Sequence, residues 1–186
     1  MSKFSIFDTP IAGLKVIERK NIGDSRGFLA RIFCADQLQK AGWKRPIVQI
    51  NQTITKKRGT VRGMHFQNTP HAEMKLISCL QGEIWDVAVD LRKNSPTFLQ
   101  WHAEKLSAEN YRALLIPEGF AHGFQALSND CELIYLHTAP YTLESESGIR
   151  PNDRYLDIPW PLDFFEISTR DATHPLLSDQ FSGIEL

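Results

Sequence analysis

Two short runs in this 186-residue chain hold residue types that can move a proton beside an anion. The first is Arg62-Gly63-Met64-His65-Phe66-Gln67, with His71 and Lys75 downstream. The second is Pro117-Glu118-Gly119-Phe120-Ala121-His122-Gly123-Phe124. Histidine exchanges protons near neutral pH because its unperturbed pKa lies there. Arginine offers a planar fork of donors and lysine a point charge. Either can hold a phosphate or meet the charge on an oxygen as a base removes a proton nearby. A lone histidine on a strand is more often structural than catalytic. Here His65 has Arg62 and Lys75 close in sequence and a second imidazole, His122, in a similar glycine-rich setting, so the pattern points to acid/base chemistry on an anionic substrate.

The elements that must carry these residues are short strands broken by turn residues. Strands are expected at residues 14–17, 28–33, 47–53, 59–66, 75–80, 84–91, 113–116, 123–127 and 132–137. Turns fall at Gly23-Asp24-Ser25-Arg26-Gly27, Gln81-Gly82, Asn94-Ser95-Pro96, Pro117-Glu118-Gly119 and Ser128-Asn129-Asp130. Residues 35–41 have helical spacing with Gly42 as the stop, and a short helix is expected around 162–165. Val87, Val89 and Leu91 share one face of their strand, opposite Asp86, Ala88 and Asp90. Leu133, Tyr135 and His137 likewise oppose Glu132, Ile134 and Leu136. Such a period of two suits half-buried antiparallel strands, and many of them at short spacing predict an all-β sandwich or jelly-roll barrel. No linker or repeat divides the chain, so one domain over residues 1–186 is expected. A flat strand would send Arg62 and His65 to opposite faces. If both serve one site, Gly63 must mark a bulge.

Bulk properties narrow the function classes. A formal net charge of -1 gives no global field for nucleic acid or an anionic membrane. No apolar stretch approaches the ~20 residues that span a bilayer. The start of the chain lacks the basic and apolar regions of a signal peptide. The three cysteines, Cys34, Cys79 and Cys131, are odd in number and widely spaced, as expected for thiols of a cytoplasmic protein.

The spacing Pro117-x-Gly119-x-x-His122 resembles the second motif of the cupin superfamily. The first cupin motif normally carries His-x-His and a later Glu that bind a metal. Here the corresponding place reads His65-Phe66-Gln67, without the second imidazole. A metal would have to rest on His65, His122 and a distant third ligand, and none is expected.

A longer set of pieces resembles one branch of that superfamily, the dTDP-4-dehydrorhamnose 3,5-epimerase family. In order they are Asp24-Ser25-Arg26-Gly27-Phe28, Gln49-x-Asn51, residues 61–67, Lys75-Leu76, Gly82-Glu83-x-x-Asp86 through Arg92, and Ser95-Pro96-Thr97. Residues 106–110 and 116–124, Tyr135, Tyr141, Glu146, Trp160-Pro161 and Ser168-x-x-Asp171 follow. The resemblance implies a cofactor-free epimerase acting at C3, C5 or both of a nucleotide-linked 4-keto-6-deoxy sugar, whose C3 and C5 protons are acidic beside the C4 ketone. By resemblance, His65 is the proton acceptor, Asp171 orients it, Tyr135 returns a proton from the opposite face, and Lys75 meets the enolate charge. Arg26, Gln49, Asn51, Arg62, His122, Tyr141, Glu146 and Arg170 would bind the substrate. A homodimer is implied, with an N-terminal strand of one subunit completing the other's sheet.

Four positions depart from the family pattern. Arg31 stands where a Glu is usual, Ile50 where an Asp is usual, Leu136 where a Lys is usual and Arg170 where a Lys is usual. The first two put the nucleotide in question. A 3- or 5-mono-epimerase or keto-isomerase of another nucleotide sugar stays open, as do a metal-dependent cupin and a sugar-binding cupin without turnover.

Overall fold

The alternating segments form strands of two sheets that face each other. The computed structural model describes residues 2–186. In chain order the elements are β1 (Phe4–Asp8), β2 (Lys15–Arg19), β3 (Asn21–Asp24), β4 (Gly27–Ala30), α1 (Ala35–Leu38), β5 (Gln49–Thr55), β6 (Thr60–Gln67) and β7 (Lys75–Gln81). There follow β8 (Glu83–Asp90), β9 (Trp101–Ser107), β10 (Arg112–Ile116), β11 (Phe120–Ala126), β12 (Cys131–His137), β13 (Glu146–Gly148), β14 (Glu166–Ile167) and α2 (Thr169–Thr173). One sheet runs β1-β2-β10-β7-β12-β5. The other runs β13-β6-β11-β8-β9, with β14 added parallel to β6. β3 and β4 form a separate hairpin.

The space between the sheets is apolar at one end. Ile77, Cys79 and Leu114 from the first sheet meet Ile84, Ala88 and Phe124 from the second, with Leu133 among them. Both outer faces are covered as well. Leu38, Trp43, Ile17, Leu76 and Leu136 pack outside the first sheet, and Val87, Val89 and Leu91 pack outside the second against Ile149, Leu156 and Ile158. This changes the meaning of the β8 alternation. Its two faces differ in chemistry as expected, yet the strand is buried on both sides because the C-terminal third lies across its outer face. Turning Leu133 inward also turns Tyr135 and His137 inward, while Ile134 and Leu136 join the outer core.

The bulge demanded by the sequence is present in β6. His122 of β11 lies opposite His65 and Phe124 opposite Arg62, so three steps along β6 match two along β11. Gly63 has φ +128°, and a Cβ there would come 2.4 Å from the Cα of Gly123. The two backbones approach too closely for a side chain, and the extra residue brings Arg62 round to the face of His65.

Other expectations differ from what forms. Strands β1, β3, β9, β13 and β14 do not show in the sequence pattern. β9 reads as polar, mixed sequence, and β13 and β14 hold three and two residues. The helix expected at 162–165 is instead a bend. Leu162 is held by both backbone groups to the Gln125 amide, and Phe165 N donates to Gly59 O at 3.0 Å. A helix forms later, as α2, with Ser168 capping it by accepting from Asp171 N. Residues 35–41 are helical, finishing in a tight 3-10 turn that Gly42 ends at φ +102°. The expected strand at 28–33 stops at Ala30.

Candidate active site

The end of the barrel not filled by the apolar core is a cavity of about 610 Å³. Of the twelve residues expected at a site, ten line it and an eleventh bonds to residues that do. The second sheet supplies Arg62, His65 and His122. The first supplies Asn51, Lys75 and Tyr135, and the C-terminal third supplies Tyr141, Glu146, Arg170 and Asp171. Gln49 stands at the mouth, donating to Asn51 Oδ1 at 3.1 Å and accepting from Tyr141 N at 2.9 Å.

His65 is held by Asp171 across 106 residues of chain. Its Nε2 lies 2.7 Å from Asp171 Oδ1, and Asp171 Oδ2 accepts the Gly63 N–H at 3.1 Å. A carboxylate accepts, so Nε2 carries the hydrogen and Nδ1 keeps the lone pair of a base. The first turn of α2 delivers Asp171. Burial alone would raise that carboxyl. The hydrogen bond and charge of His65, with the Gly63 N–H and Ser168 hydroxyl, outweigh burial and bring its pKa down to about 2. A carboxyl depressed in the fold stabilises it while ionised. The contribution is therefore complete above about pH 4 and is lost as pH falls toward 2. Asp171→Asn is expected to cost roughly 2 kcal/mol near neutral pH. That gap should narrow in thermal melts between about pH 4 and pH 2. A gap that stays constant over this window would show that the carboxylate charge contributes nothing.

Lys75 faces the same space from β7. Only 7% exposed, it donates to the His65 carbonyl at 3.4 Å and lies 3.0 Å from Glu73 Oε1. Burial pushes Glu73 up, but Lys75 and His137 together hold its carboxyl below its ordinary value. Lys75 thus meets one fixed negative charge while remaining at the cavity wall, where a developing oxyanion would meet it.

His122 forms a second imidazole–carboxylate pair, with Nε2 2.7 Å from Asp86 Oδ1. Asp86 is fully buried, and that burial raises its pKa against the opposing pull of His122 and Lys75. Tyr135 sits edge-on to His122 with ring centroids 6.0 Å apart, and stacks on His137 at 6.0 Å and 7°. Burial, then the Asp86 charge, pushes the Tyr135 hydroxyl far above its ordinary pKa. It therefore holds its proton at neutral pH, as a proton donor must. His65 and Tyr135 belong to different sheets and so to facing walls of the barrel.

The mouth is polar. Arg62 Nε donates to Thr55 Oγ1 at 3.1 Å, Tyr141 OH donates to Glu146 at 3.0 Å, and Arg170 pairs with both Glu146 oxygens at 3.0 and 3.1 Å.

One expected residue is elsewhere. Arg26 lies on the exposed β3–β4 hairpin, forked onto Asp24, and does not reach this cavity; a tight turn leaves its side chain to solvent and its nearest carboxylate. Of the four departures from the family pattern, Arg170 lines the cavity and the other three fall off it. Ile50 points away from the face that presents Asn51 and Thr53 and is 58% exposed; Leu136 is buried in the outer core; Arg31 lies exposed just past β4. None of these three alters the lining. His65 and His122 each pair with a separate carboxylate, Asp171 and Asp86.

Asp86, Glu73 and His137 were not anticipated at the site. The alternation of β8 and β12 placed Asp86 and His137 on inward faces, which was the available signal for two of them. Glu73 precedes its strand, so no periodicity marks it.

Comparison with known proteins adds independent findings. The family model described as dTDP-4-dehydrorhamnose 3,5-epimerase matches residues 8–179. The chain is 44% identical over 174 residues to an enzyme of that name from Salmonella typhimurium, covering 92% of this chain and 94% of the relative. A Bacillus anthracis crystal structure of that name with TDP and PPi bound superposes with TM-score 0.90 at 41% identity, covering 94% of this chain and 99% of the other. The Legionella pneumophila dTDP-6-deoxy-D-glucose-3,5-epimerase, in complex with dTDP-4-keto-L-rhamnose, superposes with TM-score 0.89 at 42% identity, covering 93% and 92%.

Proposed function

Since the chain belongs to the dTDP-4-dehydrorhamnose 3,5-epimerase family, we propose that it inverts C3 and C5 of dTDP-4-dehydro-6-deoxyglucose to give dTDP-4-dehydro-L-rhamnose. The reaction is an isomerisation on a cupin-type jelly roll. His65 Nδ1 takes the proton from the carbon beside the C4 ketone, and the C–H electron pair moves into an enolate. The charge gathering on the ketone oxygen is met by Lys75. Tyr135 gives its proton to the same carbon from the other side, which inverts it. Asp171 holds the ring and stabilises the imidazolium that forms. Arg62 and His122 polarise and bind, while Asn51, Gln49, Tyr141, Glu146 and Arg170 receive the nucleotide at the mouth.

The observation that carries this reading is the 2.7 Å His65–Asp171 bond on one wall, facing a protonated Tyr135 on the other. Retention of the cavity lining despite Ile50, Leu136 and Arg31 supports the dTDP sugar as substrate. Incubation of the purified chain with dTDP-4-dehydro-6-deoxyglucose should yield a sugar whose proton couplings show inversion at both carbons. Inversion at one carbon alone, or unchanged substrate, would reject the double epimerisation.

The reading extends to a homodimer of one-domain subunits working in the cytoplasm. β1 is paired with β2 of its own chain, but the hairpin leaves Ile22, Phe28 and Leu29 exposed, and β5 with the residue just before it leaves Val48, Ile50 and Ile54 exposed. Apolar side chains grouped in this way favour cover by a second copy. Such a copy would also give Arg26 a site to serve in its neighbour. Three free thiols agree with a reducing compartment.

A further inference from the structure

Beside the His65–Asp171 pair stands a third group with no part in the chemistry above. His174 follows α2, and its ring meets that of His65 edge-on with centroids 5.6 Å apart. Its Nε2 is buried, has no hydrogen-bond partner, and lies 3.9 Å from Asp171 Oδ1, too far for a hydrogen bond. Gly148 makes room for it, since a Cβ there would come 2.4 Å from that same Nε2. A buried ring nitrogen normally finds a partner, so this one is unexplained by the fold.

We propose that His65, Asp171 and His174 together form an inhibitory site for a divalent cation of borderline softness, with zinc the best fit. One ligand atom from each lies within 4.8 Å of the other two. Two imidazole nitrogens and one carboxylate oxygen form a donor set that zinc takes readily, with a fourth position left for water. Ligands about 2.0–2.1 Å from a tetrahedral zinc stand about 3.3 Å apart. Asp171 Oδ1 now lies 2.7 Å from one imidazole and 3.9 Å from the other. Moving that oxygen by about 1 Å, away from His65 and toward His174, brings both separations to the value zinc needs.

Inhibition follows from the tautomer and rests on the reading of His65 as the base. In the free enzyme Nε2 holds the hydrogen and Nδ1 the lone pair. Zinc on Nε2 displaces that hydrogen, and the neutral ring then carries its proton on Nδ1. The atom that must accept the substrate proton is filled, and Asp171 is turned from orienting the base to holding the metal. Arg170 opposes binding, because its Nη2 lies 3.2 Å from His65 Nε2. Its side chain is 54% exposed and tied to Glu146, so it can swing outward. Substrate that engages Arg170 at the mouth therefore also bears on access to the metal site.

The test uses chelator-treated enzyme titrated with zinc against a chromophoric competitor, with epimerase activity followed in parallel. One zinc per chain should bind and activity should fall with occupancy. His174→Asn should keep the metal-free activity, which also shows that it folds. It should bind zinc at least about tenfold more weakly, the loss seen for even an outer partner of a metal site. Equal zinc affinity in His174→Asn, or no one-to-one binding in the wild type, would overturn the site. Zinc that binds through His174 yet leaves activity intact would keep the site and contradict His65 as the base.

Discussion

Replacing His65 by asparagine should abolish epimerisation, lowering kcat by about 10²–10⁴-fold or more, the span that a positioned general base supplies. This corresponds to roughly 3–5 kcal/mol of lost transition-state stabilisation. KM should move much less, because in the proposed mechanism His65 acts on a carbon-bound proton, while Arg62, Tyr141, Glu146 and Arg170 line the cavity where the rest of the substrate would be held. Asparagine can still bond to Asp171 Oδ1, so the cavity wall is kept and the basic nitrogen alone is lost. Steady-state kinetics on the variant check this. A kcat within a few-fold of wild type would remove His65 from the proton-accepting role. An equal loss expressed in KM alone would make it a binding residue instead.

Tyr135→Phe should separate two events that the wild type couples. The ring stays between His122 and His137, and only the hydroxyl is removed. His65 on the facing wall can still take a proton and return one to the same side. Substrate in deuterated water should therefore acquire deuterium while inversion slows by about 10²–10⁴-fold. Because burial and Asp86 hold the Tyr135 proton in place, the wild-type donor should remain competent well above neutral pH. Loss of exchange together with inversion would show that Tyr135 is needed for deprotonation, and inversion at the wild-type rate would assign the acid elsewhere.

His65, His122, Arg62 and Lys75 could be read from residue types alone, while Tyr135 and the rest of the site came from the family resemblance. The alternation of β12 puts Tyr135 and His137 on one face, and Arg62 and His65 can share a face only through a bulge at Gly63, which the fold has. Asp171 needed the family resemblance, since no local pattern spans the 106 residues between it and His65. The burial of β8 on both faces was hidden for a related reason. Alternation reports that two faces differ, but what covers each depends on where the irregular C-terminal third is laid. Short pairings such as β13 and β14 leave almost no periodic trace, and the bend at 162–165 is set by Gln125 and Gly59 from distant strands. Arg26 shows the reverse limit. Its sequence context matches the family, but within one chain its place is on an exposed hairpin paired with Asp24.

Arg31 and Ile50 posed the sharpest question about the nucleotide; with Leu136 they lie off the cavity, while the fourth departure, Arg170, lines it. Ile50 faces outward on an edge strand, Leu136 fills the outer core beside Leu76, and Arg31 follows the exposed hairpin. Charge was changed around the barrel while the chemistry inside was kept. What remains inside is two imidazole–carboxylate pairs, a lysine balanced by Glu73, and a tyrosine that cannot readily ionise.

The central claim is that this enzyme removes and returns protons at the two carbons flanking the ketone. Proton NMR of wild-type enzyme with dTDP-4-dehydro-6-deoxyglucose in deuterated water tests it most directly. The account predicts a product inverted at C3 and C5 with solvent deuterium at both. A product inverted at those carbons with its original protons still attached would contradict it.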